Sequence, residues 1–157
     1  MSEPRETPAV TADERVRGCL VGLVVGECLG APLEHLSPAV IKRLHDEVTE
    51  IGGGGFLGIR PGQHSVDGAM MLCVAESLAA LGRFDMEDAV GRWLDWWRTS
   101  PRGIGATTQD ALARIDKGTH WRDAGRKVAQ SQAADNGAMA RVVLDPHVPM
   151  NDVFFRD

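Results

Sequence analysis

Residues Arg17-Gly-Cys-Leu-Val-Gly-Leu-Val-Val-Gly-Glu-Cys-Leu-Gly-Ala-Pro-Leu-Glu34 set Gly18, Gly22, Gly26 and Gly30 at every fourth position. In a helix such residues share one face, so the glycines form a stripe bare of side chains that another backbone can approach closely. Each interior glycine costs about 1 kcal/mol of helix propensity relative to alanine. A helix carries several of them only where close packing or ligand access offsets that cost. The stretch therefore predicts a central helix of a bundle, packed at short range on another strongly apolar helix. Glu27 is the only charge between Arg17 and Glu34 and requires a partner. Small residues at this spacing also join membrane helices. The uncharged run falls short of the roughly 20 apolar residues that span a bilayer, so no membrane is expected.

Upstream, Thr11 and Glu14 have the spacing of a capping box, which starts the helix near Ala12. Gly30 followed by Pro32 stops it at about Leu29. Ser37 before Pro38 predicts an N-cap and a short second helix with Ile41, Leu44 and Val48 on its apolar face. Glu34 then falls in the connection between the two.

The run Gly52-Gly-Gly-Gly55-Phe56, continuing to Gly58, Pro61 and Gly62, supports neither a helix nor a strand. Its composition fits a flexible loop whose amides meet a phosphate, and equally a surface linker. The residues just beyond it favour the loop over a ligand: Ser65-Val-Asp67 brings a hydroxyl and a carboxylate to the start of the next apolar helix. An aspartate there also serves as a helix cap. That helix, from about Asp67 to Leu81, is apolar nearly all round and ends at Gly82, so it is the second central helix. Asp85 and Asp88 cap a fourth helix in which Trp93, Trp96 and Trp97 read as core, not as a binding cage. Gly103-Ile-Gly-Ala-Thr-Thr108 is a second glycine-hydroxyl loop. Thr107 and Asp110 are expected to cap a fifth helix ending at Gly118, and a weaker helix is expected over 122–130. Asn136-Gly137 reads as a turn entering a helix. No stretch alternates convincingly as a strand does, so the fold class is all-α, a helical bundle.

The chain has 157 residues, a net charge of −5 and 43% hydrophobic residues, which suits one domain with a real core. Its mild acidity and lack of a basic run argue against nucleic acid as a partner. Residues 1–10 read as a flexible polar arm, 11–144 as the helical domain and 145–157 as an irregular tail. The N-terminus has no signal-peptide pattern, so a cytoplasmic setting is expected. Cys19, Cys28 and Cys73 are odd in number and lie in apolar helices, where they read as reduced core thiols.

Five motifs then occur in one order: Gly26-Glu-Cys-Leu-Gly-Ala-Pro-Leu-Glu34, the glycine loop, Gly62-Gln-His-Ser-Val-Asp-Gly-Ala-Met70, Gly103-Ile-Gly-Ala-Thr-Thr108 and Asn136-Gly-Ala-Met-Ala-Arg141. Together they resemble the ADP-ribosylglycohydrolase family over residues 15–144, as its N-terminal half. The resemblance implies an all-α fold with a two-magnesium site that hydrolyses the N- or O-glycosidic bond between ADP-ribose and an acceptor. It implies that Glu34 matches the glutamate beside the metals, as the catalytic candidate, and that Ser65 and Asp67 match metal ligands. It further implies that Gly53, Gly54, Gly55, Phe56, Gly103, Gly105, Asn136 and Gly137 line the cleft for ADP-ribose or an ADP-ribosylated protein. Three departures weaken the metal site. Glu27 stands where the family usually has aspartate, Val66 replaces the middle carboxylate of a Thr-Asp-Asp-Thr pattern, and the family's later Asp-x-Asp-Thr motif has no counterpart up to Asp157. Magnesium is held mainly by well-placed carboxylates, so one ion or none is expected here, with weak or no hydrolysis by this chain alone. The alternative is a non-catalytic relative that binds ADP-ribose or a protein. Self-association is expected from apolar surface left uncovered.

Overall fold

The computed structural model describes residues 10–45 and 47–130. Asn136, Gly137, the tail at 145–157 and all of the arm except Val10 lie outside the described residues. Six helices run in order: α1 (Ala12–Gly30), α2 (Pro38–Leu44), α3 (Val66–Leu81), α4 (Met86–Trp97), α5 (Ala106–Asp116) and α6 (Trp121–Gln130). A 3-10 turn, Ala31–Leu33, continues from α1. Among the described residues the one extended pairing is an isolated bridge between Gly54 and Ile59. The fold is all-α.

Local chemistry explains most of the helix ends. The Thr11 hydroxyl accepts from the Glu14 N–H (3.2 Å) while the Glu14 carboxylate accepts from the Thr11 N–H (2.8 Å), a complete capping box at the start of α1. The Ser37 hydroxyl accepts from the Val40 N–H, with Pro38 as the first residue of α2. α3 stops at Gly82, whose φ of 65° is left-handed and whose N–H donates to the Leu78 carbonyl (2.8 Å). Asp85 caps α4 by accepting from the Glu87 and Asp88 N–H groups. One expectation fails here: Thr107 and Asp110 do not cap α5. Gly105 holds the extended backbone of the N-cap, and the helix begins at Ala106, before both residues. Asp110 instead pairs with Arg114 along the helix (3.0 Å).

The core forms around α3. Met71, Val74 and Ser77 are its largest fully buried side chains, and Ala89 and Val90 of α4, Leu112 of α5, and Ala124 and Val128 of α6 are buried as well. α3 packs on α1 and α4, α4 on α5, and α5 on α6. The tryptophans act as structural pieces with a polar handle. Trp93 donates its indole N–H to the Met70 carbonyl (2.9 Å) and Trp97 to Gln109 (2.9 Å), which ties α4 to both neighbours. Burial pushes the Cys73 thiol up to about 11, so it stays protonated.

The expectation for the glycine stripe is overturned. A Cβ placed on Gly18, Gly22, Gly26 or Gly30 would meet nothing within 4 Å, so the stripe does not pack against α3. Glu27 and Cys28 face the body of the protein, so Gly18, nine residues or about two and a half turns before Glu27, lies on the opposite side of the helix, while Gly26 and Gly30 border the open cleft beside Glu27. The length argument against a bilayer is corrected as well. Ala12–Leu33 forms 22 helical residues, long and apolar enough to cross a membrane, and only 11% of its apolar window is buried.

Candidate functional site

The end of α1, the start of α3 and the two glycine loops enclose a cleft of about 600 Å³. That volume suits a small ligand of several rings. From the first segment come Glu27 and Glu34. Glu34 comes just after the 3-10 turn, with its N–H bonded to the Ala31 carbonyl (3.4 Å) and its carboxylate 3.7 Å from the exposed His35 ring. His35 has a φ of 66°, a left-handed conformation costly for a residue with a Cβ, and this sets the sharp exit after Glu34.

From the second segment come Ser65, Val66 and Asp67. Ser65 is the N-cap of α3, and its hydroxyl accepts from the Asp67 N–H (3.2 Å). The same hydroxyl donates to the Glu27 carboxylate, which also accepts from the Gly68 N–H (3.4 Å). Glu27 thus reaches across from α1 to the positive end of α3, where a carboxylate is stabilised by the helix dipole and by free N–H groups. This answers the demand of Glu27 for a partner, and no local pattern foretold it, because the partners lie 38 and 41 residues away.

The loops close the remaining sides. Gly54 and Ile59 exchange backbone hydrogen bonds of 2.7 and 3.0 Å, so the glycine run is a tight hairpin-like turn. Gly55, with φ of 68°, lies directly against the Pro32 backbone, an approach that leaves no room for a Cβ. Leu57 then enters the cleft wall and packs against Gly103 of the second loop, while Gly105 and the buried Thr108 bring in the start of α5.

Glu34, Ser65, Asp67, Gly103 and Gly105 are therefore brought to one cleft. Gly53, Gly54, Gly55 and Phe56 are not among its lining residues. They shape the loop behind Leu57, and Phe56 is 78% exposed, meeting the His35 ring edge-on at 5.0 Å. Leu57 lines the cleft without having been singled out for it from the sequence, whereas Glu27 and Thr108 fall within the motifs quoted there. The apolar pattern Phe56-Leu57 beside the glycines is the only signal that could have suggested Leu57.

The lining residues include three carboxylates, from Glu27, Glu34 and Asp67, and no lysine, arginine or histidine. Those carboxylates do not form a magnesium centre of the expected kind. Among the described residues no three histidine, cysteine, aspartate or glutamate side chains are grouped to hold a metal. Glu27 is committed to Ser65 and Gly68, and the Val66 side chain offers no oxygen. Among the described residues, the donors that line this cleft fall short of what a two-magnesium site needs.

A family model for ADP-ribosylglycohydrolase matches residues 8–156. An uncharacterised protein of Archaeoglobus fulgidus is 33% identical over 114 residues, which is 72% of this chain and 37% of that protein. The ADP-ribosyl-[dinitrogen reductase] glycohydrolase of Rhodospirillum rubrum is 33% identical over 101 residues, 64% of this chain and 34% of the relative. A solved ADP-ribosylglycohydrolase-related protein complex superimposes with a TM-score of 0.62 at 33% identity, covering 80% of this chain and 39% of that one. The chain spans little more than a third of the length of these relatives. Sequence motifs, helical fold and family match together establish that the chain belongs to the ADP-ribosylglycohydrolase family.

Proposed function

We propose that the chain recognises the ADP-ribose group of an ADP-ribosylated acceptor in the cleft between α1, α3 and the glycine loops. As a single chain it hydrolyses the glycosidic bond weakly or not at all. What carries this proposal is the convergence of Glu34, Asp67, Gly103 and Gly105 from separate segments on one cleft of ligand size. In this reading the Glu34 carboxylate, at the exposed rim, accepts from a ribose hydroxyl or from a water beside the glycosidic bond. Leu57 and Ile41 give the apolar wall on which a ring rests. The three carboxylates repel a diphosphate, so its oxygens turn away from them and toward the backbone amides of the second glycine loop. A cytoplasmic setting belongs to the same reading, since buried Cys28 and Cys73 suit a reducing compartment.

The test is release of ADP-ribose from an ADP-ribosylated protein. We expect the full chain with magnesium to remain close to the uncatalysed background. Val66→Asp, which adds a carboxylate at the start of α3, is expected to improve magnesium binding by calorimetry if the cleft keeps the family geometry. Rapid magnesium-dependent release by the natural chain would contradict the proposal, because the carboxylates present would then suffice.

A further inference from the structure

We propose that Thr108 is a ligand-binding residue of the cleft, and that its hydroxyl, with the open first turn of α5, receives a phosphate oxygen of the bound molecule. Gly105 is the N-cap of α5 and has no side chain with which to close the helix start, and no side-chain hydrogen bond is made there. The Gln109 N–H is the first to bond back, to the Gly105 carbonyl (2.9 Å). Among the described residues the N–H groups of Ala106, Thr107 and Thr108 meet no partner. Orphan N–H groups of this kind are ordinarily left to water, so the helix start alone makes no site. Thr108 supplies the independent observation. It lines the cleft although only 9% of its surface is exposed. A threonine inside a helix usually returns its hydroxyl to a carbonyl three or four residues back. Thr108 does not, and among the described residues its hydroxyl has no hydrogen-bond partner.

A hydroxyl held so far from solvent without a partner is unfavourable in the free protein, and a ligand atom that meets it removes the penalty. The chemistry of the set names that atom. Three free N–H groups stand at the positive end of a helix, and a hydroxyl able to donate lies within the same turn. Such a set suits an anionic oxygen, a phosphate above all. The cleft is accordingly two-sided. Its carboxylates, Glu27, Glu34 and Asp67, come from the end of α1 and the start of α3, whereas Gly103, Gly105 and Thr108 bring donors and no charge. A molecule with a phosphate at one part and hydroxyl groups at another fits both walls. The inference rests on the proposed binding of ADP-ribose for the identity of the ligand, and on α5 and Thr108 alone for the site.

The experiment titrates ADP-ribose and, separately, inorganic pyrophosphate into the full natural chain, Thr108→Val and Thr108→Ser by calorimetry. Valine keeps the shape of threonine and nearly its helix propensity, and removes only the hydroxyl. Because that hydroxyl has no partner in the free protein, Thr108→Val is expected to melt at the same temperature or higher while binding both probes about tenfold more weakly. Thr108→Ser keeps the hydroxyl and is expected to bind as the natural chain does. A lower melting temperature for Thr108→Val would show that the hydroxyl serves the fold itself, and overturns the proposal. A serine variant as weak as the valine variant also overturns it, since the methyl group would then be what matters. ADP-ribose bound equally by the natural chain and Thr108→Val overturns the role of Thr108 and leaves the proposed function standing. Pyrophosphate bound through Thr108 without any binding of ADP-ribose does the reverse. A natural chain that binds neither probe overturns both.

Discussion

Replacing Gly55 with alanine tests how the glycine loop is seated beside Glu34. The backbone at Gly55 has φ of 68°, where a Cβ costs roughly 1–2 kcal/mol. The added methyl would also stand 2.8 and 2.9 Å from the carbonyl carbon and Cα of Pro32, with the Pro32 oxygen closer still. These are backbone atoms of the 3-10 turn and cannot rotate aside, so overpacking adds about 1–3 kcal/mol. The total, about 2–5 kcal/mol, is a large part of the roughly 5–15 kcal/mol that holds a domain folded. In urea titration the midpoint should fall with an unchanged slope, and the melting temperature should drop by about 5–15 °C. Gly52→Ala is the control, since Gly52 has open space and no left-handed φ. A Gly55→Ala variant within about 0.5 kcal/mol of the natural chain, the level of an ordinary surface change, would refute this seating of the loop on Pro32.

Gly22→Ala should stabilise the isolated chain by about 0.5–1 kcal/mol, because an exposed helical glycine gains propensity and meets no neighbour; destabilisation in thermal melts would mean that the stripe is packed after all. Glu27→Ala should cost about 1.5–3 kcal/mol by chemical denaturation, the range for hydrogen bonds to a charged group, since it removes the acceptor shared by Ser65 and Gly68. Acid should destabilise the fold partly through Asp85. The Asp88 N–H first, and then the Arg83 guanidinium, hold its carboxyl below the usual aspartate range. A depressed folded pKa contributes stability above the unfolded value of about 3.9 and loses it as pH falls through the folded value. Asp85→Asn keeps an acceptor for the cap but does not titrate, so its urea midpoint should fall less steeply below about pH 4 than that of the natural chain.

The helix ends were largely legible because their causes are local. Thr11 and Glu14, Ser37 and Pro38, Asp85, and the left-handed Gly82 each act within a few residues of where they stand. The start of α5 was misread because Gly105 caps it through backbone conformation alone, with no side chain to advertise the boundary. The orientation of α1 was not legible for a different reason. Leucines, valines and glycines surround the helix, so hydrophobic periodicity carries no phase, and the one informative residue, Glu27, finds its partners far away in the chain. The motifs named segments that the fold brings to one cleft, those containing Glu34, Ser65, Asp67, Gly103 and Gly105. Which side chain of the first loop faces inward depends on the Gly54–Ile59 pairing and the contact of Gly55 with Pro32, and these bring Leu57 to the wall while leaving Phe56 outside.

Calorimetric titration of ADP-ribose into the full chain, beside the variant Leu57→Trp, tests the central claim most directly. Leu57 lines the cleft and is only half-buried, so the larger ring fills ligand space with little effect on folding. The account predicts saturable one-site binding to the natural chain that is lost in Leu57→Trp at an unchanged melting temperature. No binding to the natural chain, or equal binding to both, would contradict it.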